Sequence, residues 1–117
     1  MLKIKRVYED AQASNGTRFL VERLWPRGMK KEDLNMKAWL KDAAPSPNLR
    51  RWYAHDVLKW QEFQQRYRAE LESNPDAWHP IVEAARHGDV TLLYSTRDID
   101  HNSALVLKSV LEEHMKK

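Results

Sequence analysis

Two short apolar runs in this sequence end in clusters of side chains that bind anions or move protons. The first, FLVERLWPRG, closes on Arg23, Trp25 and Arg27, and the second, VTLLYSTRDIDHN, closes on Ser95, Arg97, Asp98, His101 and Asn102. A buried strand whose carboxyl end opens onto a ligand site has this form. Arg23 and Arg27 flank a rigid proline and can aim two guanidiniums at one carboxylate or phosphate. Ser95, Thr96 and Arg97 run straight into a helix, whose free N–H groups would complete an oxyanion or phosphate cradle. His101, one turn in, can transfer a proton, with Asp98 or Asn102 to orient it. His55 is a further candidate beside Asp56, which suits a helix cap. Each of these residues also has a plainer role. The arginines can pair with Glu22, Asp98 or helix carboxylates, Trp25 can simply pack, and His101 can lie on a solvent face.

Composition narrows the chemistry. The chain has no cysteine, which excludes disulfides, thiolate catalysis and cysteine-ligated metal centres. His55 and His101 lack diagnostic metal-ligand spacing, so no metal is expected. No GxGxxG, Walker loop or HExxH is present, so no cofactor is expected either. Ser95 has no assured base, which makes covalent catalysis the lesser route. The start, MLKIKRVYED, has no apolar signal core, and no run approaches the roughly 18 apolar residues of a membrane span. A cytoplasmic protein that does not enter the membrane is expected. Lys and Arg number 20 against 17 Asp and Glu, a net charge of +3. The nucleic-acid footprint is therefore weak despite a pI near 9.2.

The elements that must position these groups can be read from periodicity. At 117 residues a single domain spanning 1–117 is expected. Residues 2–7 alternate like a strand with one wetter face, at an edge. Asn15-Gly16 is a turn signal, and so short a link ordinarily makes a hairpin, although a crossing loop would leave the strands parallel. Residues 18–24 read as a central strand. Residues 31–43 read as a helix, with Met36, Trp39, Leu40 and Ala43 at offsets 0, 3, 4 and 7. Ser46-Pro47 opens a short helix carrying Leu49, Trp52 and Tyr53. Asp56 caps the next, with Trp60, Phe63, Tyr67 and Leu71 as its stripe. Pro80 either kinks the following segment or restarts it with His79 as cap, and Gly88 suits a left-handed stop. Residues 90–94 form the best strand. Asp98 or Asp100 caps a last helix whose buried side is Ala104, Leu107, Leu111 and Met115. The aromatic series from Trp39 to Trp78 fits core spacing, with one or two rings left to wall the pocket. A base-stacking platform is the alternative.

Taken together, LVERLWPRG, LKDAAPSPNLRRWYAHD, KWQEFQQRY and VTLLYSTRDIDHNSALVL resemble the YeaO-like bacterial proteins, the short branch of the domain of unknown function 488 family. The resemblance covers almost the whole chain. It implies a compact cytoplasmic α/β domain of Rossmann-like character and no substrate. The longer branch of that family carries a helix between its first two strands, which would make them parallel, where this chain has only a loop. Glu22 stands where the family usually has Asp, and Val57 where Pro often follows the His-Asp pair.

The expected fold is a small Rossmann-like three-layer α/β domain, its short sheet mostly parallel, with a helical excursion between strands two and three. The expected function is binding of a small anion by Arg23, Trp25, Arg27, Ser95, Arg97 and Asn102. His101, Asp98 and His55 would serve hydrolysis or group transfer if turnover occurs. The alternative is a nucleic-acid or protein interaction module using the basic face.

Overall fold

A computed structural model describes residues 1–116. Strands β1 (Leu2–Arg6), β2 (Thr17–Leu20), β3 (Ala38–Trp39) and β4 (Val90–Tyr94) form one sheet in the order β1-β4-β2-β3. Every neighbouring pair is parallel. Helices α1 (Pro47–Tyr53), α2 (Trp60–Glu72) and α3 (His79–Ala85) intervene between β3 and β4, and α4 (Ser103–Met115) follows β4. The two apolar runs do lie side by side, Phe19 opposite Leu92 and Leu20 opposite Leu93.

Side-chain alternation gives the sheet two unlike faces. Leu2, Phe19, Val90, Leu92 and Tyr94 point to the face that all four helices cover, where they meet Leu49, Phe63, Tyr67, Ile81, Leu107 and Leu111. Leu20 and Leu93 point the other way, into a smaller cluster with Val7, Leu34 and the half-buried Trp25, Met29, Met36 and Trp39. The third layer is therefore irregular chain, not helix. The 7–16 link crosses the same face: Thr91 Oγ1 donates to Asn15 O at 2.8 Å, and the Lys3 and Lys5 ammoniums donate to Ser14 O and Asp10 O. That crossing answers the open question of direction. β1 and β2 do not form a hairpin, because β4 enters between them. Gly16 makes the crossing feasible, since a Cβ there would lie 2.0 Å from Asp89 O at a φ of +66°.

Several sequence expectations need correction. Residues 31–43 are not a helix. They form two 3-10 turns, Lys31–Asp33 and Lys41–Ala43, around the edge strand β3. Lys37 N–H donates to Arg18 O and Leu40 N–H to Leu20 O, so pairing with β2 displaced the helical ladder. The helical pattern was a coincidence of two cores: Met36 and Trp39 pack on one side of the sheet, Leu40 and Ala43 on the other. β2 ends at Leu20, short of the expected 24. The cap of α4 is Asn102, whose Oδ1 accepts from Leu105 N, and neither Asp98 nor Asp100 takes that position. α3 restarts at His79, capped by Trp78. Gly88 has no positive φ, and Met115 is exposed. Ser46 does cap α1, accepting from Leu49 N, while Asp56 caps the 3-10 turn Val57–Lys59 that leads into α2, accepting from Leu58 N.

Candidate functional site

The carboxyl ends of β1, β2 and β4 open onto a cavity of about 680 Å³. It lies where ligands of open parallel sheets bind, and its size suits a small molecule. β1 delivers Arg6 and Tyr8, the chain beyond β2 delivers Glu22 and Arg27, and β4 delivers Tyr94 through Arg97. The amino end of α4 adds His101 and Asn102, while α1 and its exit turn add Arg50, Tyr53 and His55.

The charge balance is one-sided. Four arginines, Arg6, Arg27, Arg50 and Arg97, line the cavity against one carboxylate, Glu22. Arg6 is committed locally: its Nε donates to Thr96 O at 3.0 Å, its Nη2 donates to Ser95 O, and it stacks on Tyr8. Arg27, Arg50 and Arg97 have no ion pair among the described residues, and all three are exposed. Arg27, Arg50 and Arg97 thus reach one cavity from three segments without a carboxylate partner among the described residues, which makes its rim basic.

Glu22 already occupies part of the expected cradle. Its Oε1 accepts from Ser95 N at 2.7 Å and from Ser95 Oγ at 2.9 Å. The carboxylate thus stands where a ligand oxyanion would meet those two donors, and the Ser95 hydroxyl is engaged with it.

His101 and Asp98 form a dyad. The Asp98 carboxylate takes the His101 ring at Nδ1, 3.0 Å away, and also accepts from the backbone N–H of Asp100 and His101. Partial desolvation would raise the Asp98 pKa, but these N–H donors and the imidazole outweigh it and hold the carboxyl below its ordinary value. With Nδ1 bound to Asp98, Nε2 is the nitrogen left to exchange a proton. The ring is further fixed by an edge contact to Trp60, centroids 5.3 Å apart. Tyr53 and Tyr94 are both raised, first by desolvation, then by Asp98 and Asp56 for Tyr53 and by Glu9 for Tyr94.

His55 sits at the rim, exposed, with a φ of +57°, directly after Ala54 at +46°. Two successive non-glycine residues in the left-handed region cost about 1–3 kcal/mol each, and such strain clusters at ligand sites.

Of the expected site residues, Arg27, His55, Ser95, Arg97, His101 and Asn102 line this cavity, and Asp98 supports it through His101. Two lie elsewhere. Arg23 turns under the sheet edge, donating to Pro45 O, Ala44 O and Asp42 Oδ1. Trp25 donates to Met29 O and packs edge-on against Trp39 in the smaller cluster. Asn102 is buried, and both ends of its amide are used, Oδ1 by Leu105 N and Nδ2 by Asp98 O. Arg6, Tyr8, Arg50 and Tyr94 were not anticipated. Arg6 and Tyr94 are register partners at the ends of parallel strands, so a parallel β1 in the sequence reading would have pointed to them. Among the described residues no three His, Asp or Glu side chains converge as a metal site would require.

A parallel four-stranded sheet with a basic cavity at its carboxyl edge defines an open α/β protein of Rossmann-like character. Residues 1–117 match the family model described as "Inactive DUF488-N3 subclade", and the chain belongs to that family. It is 41% identical over 106 residues to the uncharacterized protein YeaO of Escherichia coli strain K12, covering 91% of this chain and 92% of that one. An uncharacterized protein of Mycobacterium tuberculosis strain H37Rv is 37% identical over 110 residues, covering 94% of this chain and 92% of its own. No solved structure gives a significant match. No helix among the described residues is long and apolar enough to cross a membrane.

Proposed function

We propose that the protein binds a small phosphate- or carboxylate-bearing ligand in the cavity at the carboxyl edge of the sheet, and that binding rather than turnover is its role. The observation that carries this reading is the convergence of Arg27, Arg50 and Arg97 on one cavity with no ion pair among the described residues. A ligand oxyanion would gain charge-assisted hydrogen bonds from them. The word "inactive" in the description of the matching family model favours binding over turnover. The His101–Asp98 dyad favours a second reading, a hydrolase or transferase in which His101 is the general base.

The test is a thermal-shift titration at fixed ionic strength with phosphate, sulfate, nucleotides and small carboxylates. A ligand at 100 times its Kd adds about 2.7 kcal/mol of stability. The expected result is a saturable rise for one anion class that Arg97→Ala reduces. Uniform, salt-sensitive responses to any polyanion would indicate the nucleic-acid alternative. No anion response, with Arg97→Ala itself destabilised, would overturn the proposal. Turnover lost in His101→Gln would decide for the second reading.

A further inference from the structure

A separate cavity of about 460 Å³ lies on the opposite, helix-free face of the sheet, between the crossing loop and the segment before β3. Arg18 of β2 forms part of its wall and is only 6% exposed. Its Nε and Nη1 are shut off from solvent and have no hydrogen-bond partner among the described residues. Burial without compensation lowers its pKa, as expected of a charge with nothing to neutralise it.

Such a group needs an explanation, because a buried charged side chain is almost always paired in native structures, and two of the three guanidinium nitrogens here are not. The crossing loop turns its acceptors to other cations. The carbonyls of Asp10 and Ser14 and the Asn15 amide oxygen, all on the crossing loop, accept from Lys5 and Lys3. None of the residues around the cavity is acidic, and Lys37 adds a second cation at its mouth. The rest of the lining is short or apolar, chiefly Ala11, Ala13 and Met36, with the Gln12 and Asn35 amides beside them. A bare ion would fill a small part of this volume. An acid group carrying a short apolar body would fill it better.

We propose that this cavity is a second binding site, specific for a small organic oxyanion whose acid group pairs with the buried guanidinium of Arg18 and whose body rests on Ala11, Ala13 and Met36. It is independent of the cavity at the carboxyl edge of the sheet, which lies on different residues.

The experiment is a site-resolved NMR titration of ¹⁵N-labelled protein with inorganic phosphate, acetate and butyrate, and with n-butanol as the neutral control. The Arg18 Nε–H resonance and the amides of Gly16, Asn35 and Lys37 report this site, and those of residues 95–103 report the other. The expected result is saturable movement of the Arg18 group of signals with butyrate, tighter than with acetate, and none with butanol. Arg18→Met raises the apparent Kd about tenfold or more, and Lys37→Ala, at an exposed position, weakens binding by a smaller factor. Arg97→Ala leaves these shifts intact. Arg18→Met should also melt higher than wild type in anion-free buffer, because it removes the unpaired charge and keeps the volume. Shifts confined to residues 95–103, or a lower melting temperature for Arg18→Met with no movement at Arg18 in wild type, would overturn the proposal and make Arg18 a structural residue.

Discussion

Replacing Glu22 by Gln keeps the shape of the side chain and removes its charge, which tests whether this carboxylate both holds Ser95 and opposes an anion bound in the cavity. In the wild type Oε1 accepts from both Ser95 N and Ser95 Oγ, at 2.7 and 2.9 Å. A hydrogen bond to a charged group contributes about 1.5–3 kcal/mol, and a neutral one about 0.5–1.5. Two bonds weakened in this way, at a half-buried position, should lower stability by about 2 kcal/mol. Unfolding entropy near 2.1 cal/mol/K per residue gives about 0.25 kcal/mol/K for a chain of 117 residues, so the melting temperature should fall by about 8 °C. Anion binding should move oppositely. A unit charge about 6 Å from a bound anion repels it by about 0.7–3 kcal/mol, between the dielectric of water and that of a protein surface. Phosphate should therefore bind Glu22→Gln at least about threefold more tightly. The assay is urea denaturation of both proteins with and without phosphate. A variant that is less stable alone and gains more from phosphate fits the geometry. An unchanged midpoint together with an unchanged phosphate response would refute it.

Other perturbations follow from the same contacts. Arg23→Met should lose about 1–3 kcal/mol of stability, because three acceptors from 42–45 lose their donor, and should leave the phosphate response of the folded protein intact. Gly16→Ala should destabilise by more than about 3 kcal/mol and yield little folded protein, since its Cβ cannot coexist with Asp89 O and its φ is left-handed. Asp98 should titrate by NMR below its ordinary 3.8, and His101→Gln should move it upward. Because the folded-state pKa is depressed, the stability from Asp98 is present above 3.8 and is lost as the pH falls through the folded value. Tyr67→Phe should cost about 1 kcal/mol, because the buried hydroxyl donates to Ala43 O. Burial, followed by Glu22 and Glu70, pushes the Tyr67 phenol far up, so its ionisation should be seen only as the protein unfolds in alkali.

The strands that carry the site were legible because their signal is local. VTLLY is apolar throughout and buried throughout. The helices of the excursion were legible for the same reason, with Ser46 and Asp56 as caps and Phe63, Tyr67 and Leu71 on one buried stripe. What stayed hidden depends on pairing at a distance. The strand at Ala38–Trp39 exists because β2 offers an open edge, and no residue within 31–43 states that. Arg6 and Tyr8 belong to the site only if β1 is parallel, which rests on a crossing loop and not on a propensity. Arg23 looked like a ligand residue because it sits near a strand end. Its guanidinium instead holds the carbonyls of Ala44 and Pro45, which are 21 and 22 residues away along the chain.

The sheet order also governs when the protein can assemble. β4 is the strand that joins β1 to the rest, and it is the last of the four to be made. Residue 2 must wait for residue 90 before it has a partner, and Phe19, which can meet Ala38 earlier, must wait for Leu92 on its other side. Until then only the short β2–β3 contact is available, and it spans two residue pairs. On the ribosome the first two strands therefore emerge with open edges and stay open through synthesis of the entire helical excursion. Long-range parallel pairing of this kind is slow and exposes strand edges to other chains. The lysines on β1, which later tie down the crossing loop, would serve in that interval as charges that discourage another chain from pairing there. Chain elongation past residue 103, which supplies β4 and the last residues of its lining, would set the earliest moment at which the cavity at the carboxyl edge can form.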